Sequence, residues 1–87
     1  MKTIWKYDVP ITDHFSLELP AGAELLTVQV QFGVPCIWAI VDPEKPLVET
    51  QFHLFGTGHA INQETGKLTY VGSFQMLGGM LVWHLFV

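Results

Sequence analysis

Residues 25–42, LLTVQVQFGVPCIWAIVD, read as two β-strands around a turn, and the rest of the chain is laid against them. In the first arm Leu26, Val28, Val30 and Phe32 alternate with Thr27, Gln29 and Gln31. That two-residue period is the signature of a strand with one face on a core and the other in water. The second arm, Cys36, Ile37, Trp38, Ala39, Ile40 and Val41, is apolar at every position, as expected of a strand covered on both faces. Between them stand Gly33, Val34 and Pro35. Glycine permits positive φ and proline has no N–H for a ladder, so a hairpin with a bulged or three-residue loop is predicted.

The same alternation extends outward. Residues 3–9 carry Trp5 and Tyr7 against Lys6 and Asp8, and Pro10 stops that strand. Phe15, Leu17 and Leu19 alternate with Ser16 and Glu18 up to Pro20, and residues 20–23 form a turn around Gly22. The Pro-rich loop of residues 42–46 follows the hairpin, then a strand with Val48, Thr50, Phe52 and Leu54 on one face and Glu49, Gln51, His53 and Phe55 on the other. After Gly56, Thr57, Gly58 and His59 comes a polar loop, residues 62–67. Residues 68–77 put Tyr70, Phe74 and Met76 on one face and Val71, Ser73 and Gln75 on the other, with Gly72 a possible bulge. Gly78 and Gly79 suit a two-residue turn into the last strand, residues 80–87. About seven short strands with Gly and Pro turns and no periodic helix predict one all-β domain over residues 1–87: a small antiparallel β-sandwich or open barrel.

Composition bounds the function. The 87 residues are 49% hydrophobic and 14% charged, against about 25% charged in an average soluble domain. A chain this short buries only ~60–65% of its unfolded surface, so apolar area is left over. No run reaches the ~18 apolar residues of a membrane-spanning helix, and no signal-peptide pattern opens the chain. These features predict a cytoplasmic homo-oligomer. The last strand is the expected interface: its two faces are both apolar and one core covers only one, which assigns Leu81, Trp83, Leu85 and Val87 to a partner. Net charge is −4, and Lys2, Lys6, Lys45 and Lys67 are the only strong bases, with no Arg, so direct nucleic-acid binding is not expected. Cys36 stands alone and reads as a core residue.

The segments IWKY, PIT, LPAGAELLTVQVQ, PCIWAIVDP, FGTGHAI, YVGSFQ and GGMLVWHLF together resemble a small, functionally uncharacterised protein family of bacteriophage genomes and prophages. The resemblance spans nearly the whole chain and brings no catalytic or binding residues with it. What it implies is context: a phage protein in a bacterial cytoplasm, similar in style to proteins that blunt host defences.

Gly56, Thr57, Gly58 and His59 form the most unusual local sequence. They read either as an anion nest of converging amides, completed by the Thr57 hydroxyl and His59 imidazole, or as a turn in which glycine supplies φ > 0. Trp5, Tyr7, Trp38, Tyr70 and Trp83 could stack on a base or nucleoside, and Trp5 and Tyr7 are taken as ligand-binding candidates. His14, His53, His59 and His84 lack metal-site spacing, so neither a metal nor another cofactor is expected. Asp8, Asp13, Asp42 and Glu64 are the candidate bases, and none has a nucleophile beside it that the sequence can place, so an enzyme is not expected. Three functions follow as expectations. One is a counter-defence protein that sequesters a small ligand such as a host immune nucleotide signal. The others are an inhibitor of a host defence protein, for example a CRISPR effector, and a minor structural or accessory phage protein.

Overall fold

The computed structural model describes residues 1–61 and 65–87. Asn62, Gln63 and Glu64, part of the expected polar loop and one of the candidate bases, lie outside the described residues. Seven strands form, β1 (Thr3–Asp8), β2 (His14–Pro20), β3 (Glu24–Gln31), β4 (Val34–Val41), β5 (Leu47–Gly56), β6 (Tyr70–Met76) and β7 (Leu81–Phe86). They make two antiparallel sheets, one ordered β1-β4-β3 and the other β2-β5-β7-β6. The arrangement is an all-β sandwich and is not closed into a barrel. No described helix is long and apolar enough to cross a membrane.

The central hairpin is β3–β4, but its turn is tighter than the sequence predicts. Gln31 pairs with Val34, so only Phe32 and Gly33 form the loop, at φ 50° and 79°. Two successive positive φ values mark a type I′ turn, whose twist matches that of the strands. Pro35 therefore lies inside β4. Its carbonyl accepts from the Val9 amide at 2.9 Å, so its ring nitrogen points toward β1 just beyond the last β1 residue, and the β3 ladder loses no donor.

The expected alternation of β3 also changes. A bulge between Leu25 and Thr27 sets Leu25 opposite Ala39 and Val28 opposite Ile37, so Leu25 and Val28 face the core. Leu26, Val30 and Phe32 are exposed, Phe32 at 96%. The extra residue flips the side chains before it, turning Leu25 in and Leu26 out, whereas Val30 and Phe32 keep the parity of Val28 and are exposed toward the turn. In β4, Ile37, Ala39 and Val41 are buried against the second sheet, as expected. The opposite face is covered less fully than an all-apolar strand suggests: Cys36 is buried, whereas Trp38 and Ile40 are only half-buried.

Phe15, Leu19, Phe52, Leu54, Phe74 and Leu85 supply the inner face of the four-stranded sheet, with the Phe15 and Phe52 rings stacked at 5.1 Å. Leu85 is 0% exposed within one chain and Trp83 packs on the same core. The face assigned to a partner thus turns inward at Trp83, Leu85 and Val87, because the second sheet covers it, while Leu81 stays exposed at 43%; Val82, His84 and Phe86 face outward. The β6–β7 loop is also longer than a two-residue turn. Met76 pairs with Leu81, and Leu77, Gly78 and Gly79 all take positive φ.

The two sheets close along one side only. There β3 packs on β6, and Val28 sits over Gly72, where an added Cβ would lie 2.9 Å from Val28 Cγ1. β1 and β2 make no comparable contact at the opposite side. Trp5, on the inner face of β1 opposite Ala39, is left 40% exposed.

Candidate functional site

The outer face of the four-stranded sheet carries a line of polar side chains running across three strands. Register places Phe55, His84 and Ser73 side by side on β5, β7 and β6, with His53, Phe86 and Tyr70 in the next row. Tyr70 reaches this face because of a second bulge. The β6 register shifts between Tyr70 and Gly72, which separates Tyr70 from the inward Phe74 and Met76 and puts it beside Ser73.

His84 is held at both ring nitrogens. Nε2 lies 2.7 Å from Thr57 Oγ1 and Nδ1 lies 2.7 Å from Ser73 Oγ, which in turn is 2.7 Å from the Tyr70 hydroxyl. A neutral imidazole donates at one nitrogen and accepts at the other, so the protons along this chain point one way or the reverse. In one direction the Tyr70 oxygen is left as an acceptor, and in the other its O–H is left to donate. Aromatic rings frame the line: Phe55 meets Phe86 edge-on at 5.6 Å, and Tyr70 is tilted against Phe86 at 5.4 Å. Together with Gly56, Thr57, Gly58, His59 and Ile61 these groups border an open groove of about 460 Å³. Among the described residues, no carboxylate, lysine or arginine lines it.

The turn at residues 56–59 works differently from an anion nest. Thr57 N donates to Val82 O at 3.1 Å and His59 N to Gly56 O at 3.0 Å. Two of the amides that would converge on an anion are therefore spent. Gly58 has φ 85° while Thr57 does not take positive φ, the pattern of a type II turn with glycine at its third position. Gly56 has a different reason to be glycine: a Cβ there would meet the His59 ring at 2.6 Å. That close approach seats His59 edge-on to Trp83 at 5.8 Å, at one end of the groove.

Of the ligand-binding candidates, Gly56, Thr57, Gly58 and His59 come together with the groove, and Trp5 and Tyr7 do not. Those two lie on β1, in the other sheet. The Tyr7 hydroxyl is buried without a hydrogen-bond partner among the described residues, as is Trp83 Nε1. Burial pushes the Tyr7 phenol above its ordinary pKa. Burial also raises the Cys36 thiol; Lys6 nearby lowers it, while Asp8, through its charge and a long contact from Cys36 Sγ to Oδ1 at 3.7 Å, raises it. No group of three or more His, Cys, Asp or Glu gathers at a potential metal site among the described residues.

Sequence reasoning missed Ser73, Phe55 and Phe86 as site residues and named Tyr70 only among five aromatics that could stack on a ligand. His84 carried a signal, as the single polar residue in an apolar strand. Tyr70 carried the signal of its ring, but strict alternation sends it to the opposite face from Ser73.

Chemically, the Ser73 hydroxyl beside His84 Nδ1 has the outline of a nucleophile and base. The far nitrogen, however, meets the Thr57 hydroxyl where a triad has a carboxylate to orient and stabilise an imidazolium. A hydroxyl in that place orients the ring but brings no charge to stabilise an imidazolium. The chain belongs to the family Domain of unknown function (DUF7352), which matches residues 1–87. Comparison with curated proteins and with solved structures returns no match.

Proposed function

We propose that this DUF7352 protein is a non-enzymatic binding protein that takes a small planar ligand with polar edges, such as the nucleobase part of a nucleotide signal, in the groove on the outer face of β5, β7 and β6. The observation that carries this reading is the hydrogen-bonded line Thr57–His84–Ser73–Tyr70 beside Phe55 and Phe86. The aromatic edges and faces supply stacking, worth about 1–3 kcal/mol per base. The hydroxyls supply donors and acceptors whose direction follows the ligand. That no lysine or arginine lines the groove among the described residues favours the base over a multiply charged phosphate as the recognised part. The resemblance to phage proteins supports a place in a bacterial cytoplasm and a counter-defence role, in which holding the signal removes it from the host.

Native mass spectrometry of protein purified from infected cells, followed by titration with nucleosides and nucleoside monophosphates, tests this. A retained or titrated nucleobase compound that is lost in Ser73→Ala and Tyr70→Ala supports it. Failure of all of them to bind at millimolar concentration overturns it. A second reading, docking on a host defence protein, is favoured by Phe32, Leu77 and Met80, exposed at 96%, 68% and 84% on two turns at the same end of the sandwich.

A further inference from the structure

The four sheet edges are not equally protected. β3 and β6 each carry a bulge and pack on one another. In β2, the Leu54 amide donates to the Asp13 carbonyl, so odd-numbered residues face β5 and even-numbered ones face outward. Of those outward groups, the His14 carbonyl already accepts from the Thr12 hydroxyl at 2.9 Å, and Pro20 has no N–H. Bulges, prolines and capped carbonyls are the usual means of blunting an edge.

β1 has none of these. Its register with β4 is unbroken from Thr3 to Asp8, and among the described residues it pairs with β4 alone. The bond from Val9 N to Pro35 O continues that register and sets its phase. Odd-numbered residues turn their amides and carbonyls toward β4, which leaves those of Ile4, Lys6 and Asp8 directed outward. Beside them lie apolar side chains only partly covered, Ile4 at 56% and Trp5 at 40% exposure.

We propose that two copies of this chain join through β1, antiparallel about a two-fold axis perpendicular to the sheet, with Trp5 facing Trp5 at the axis and Lys2 of each copy opposite Asp8 of the other. The axis keeps the inner faces of both sheets on one side, so opposed residues share parity. The outward backbone groups require that the even-numbered ones form the hydrogen-bonded pairs. Two registers satisfy this with most of the strand overlapping. One sets Lys6 against Lys6, like charges directly opposite, which is unfavourable. The other sets Ile4 against Lys6, Lys2 against Asp8 and Trp5 against Trp5, so charges complement and the two half-exposed indoles cover each other. Sliding further brings Pro10 opposite an outward group or shortens the overlap. The sequence expectation of a homo-oligomer is thereby carried by β1 in place of β7. The groove lies on the other sheet, so ligand binding and pairing fail or stand separately.

Air oxidation of Trp5→Cys should give a disulfide-linked dimer on a non-reducing gel. Non-hydrogen-bonded antiparallel partners lie about 4.5 Å apart at Cα, within the disulfide range. Lys6→Cys should stay uncrosslinked, and buried Cys36 takes no part. Light scattering after size exclusion should read twice the 9.8 kDa chain mass for the wild type. Asp8→Lys should raise the dimer dissociation constant about tenfold or more, as opposed charges become like, and Lys2→Asp added to it should restore the dimer. A 9.8 kDa species up to high micromolar concentration, crosslinking of Lys6→Cys without Trp5→Cys, or failure of the charge swap to restore pairing overturns the proposal.

Discussion

Gly72→Ala tests how the sandwich is closed. The new methyl would stand 2.9 Å from Val28 Cγ1, against an optimum of about 3.5–4.0 Å between carbons. Val28 is 3% exposed and anchored in β3, so it cannot swing away as a surface side chain would. The substitution should cost about 1–3 kcal/mol, the range for overpacking a tight core. Val28→Ala alone should also destabilise, by about 1.5–3 kcal/mol, from the loss of buried apolar surface. The two changes together should not add. The alanine at position 28 makes room for the methyl at position 72, and the double variant should recover at least about 1 kcal/mol relative to the sum, a coupling typical of residues in contact. Urea denaturation of the four proteins measures this directly. Thermal melting should agree, at about 4–8 °C per kcal/mol for a domain of this size. Additive effects within error, or a Gly72→Ala protein as stable as the wild type, would refute the claim that the β3–β6 side is closed by this contact.

A Cβ at Gly58 meets no atom within 4 Å, so the cost of Gly58→Val comes mainly from backbone strain at φ 85°, about 1–2 kcal/mol. Melting should fall modestly while retention of a groove ligand falls further, and equal loss of both would reduce the turn to a structural role. Tyr7→Phe removes a buried hydroxyl with no partner among the described residues and should raise stability by about 1 kcal/mol in urea denaturation. Burial holds the Tyr7 and Cys36 pKa values above 10.0 and 9.0, so both groups favour the fold fully below those values and lose that contribution as pH rises through the folded-state values. The melting temperature should therefore be flat near neutrality and fall in the alkaline range, less steeply for Tyr7→Phe. Dialysis against EDTA should leave the melting curve unchanged, and a drop reversed by Zn²⁺ would overturn the expectation that no metal is bound.

The strands themselves were legible because a two-residue period needs only the order of side chains. Leu17 and Leu19, Phe52 and Leu54, and the all-apolar run in β4 announce their elements without any knowledge of what covers them. His84 and the glycine turn at residues 56–59 also stood out, so part of the candidate site was visible as unusual sequence. Which way those residues face was not. A bulge inserts one residue whose presence is decided by the partner strand, and two such insertions, at Leu26 and Val71, reassign Leu25 to the core and Tyr70 to the outer face. The same limit applies to β7. Both its faces are apolar in sequence, and only the packing of the three-stranded sheet over Trp83 and Leu85 determines that this side is core and that His84 and Phe86 are surface. The anion-nest reading fell for a related reason, since the Thr57 amide is spent on Val82, which is 25 residues distant in the chain. Period and composition are local properties and survive in the sequence. Register, hydrogen-bond phase and the choice of covered face depend on contacts between distant segments, and only the tertiary structure decides them.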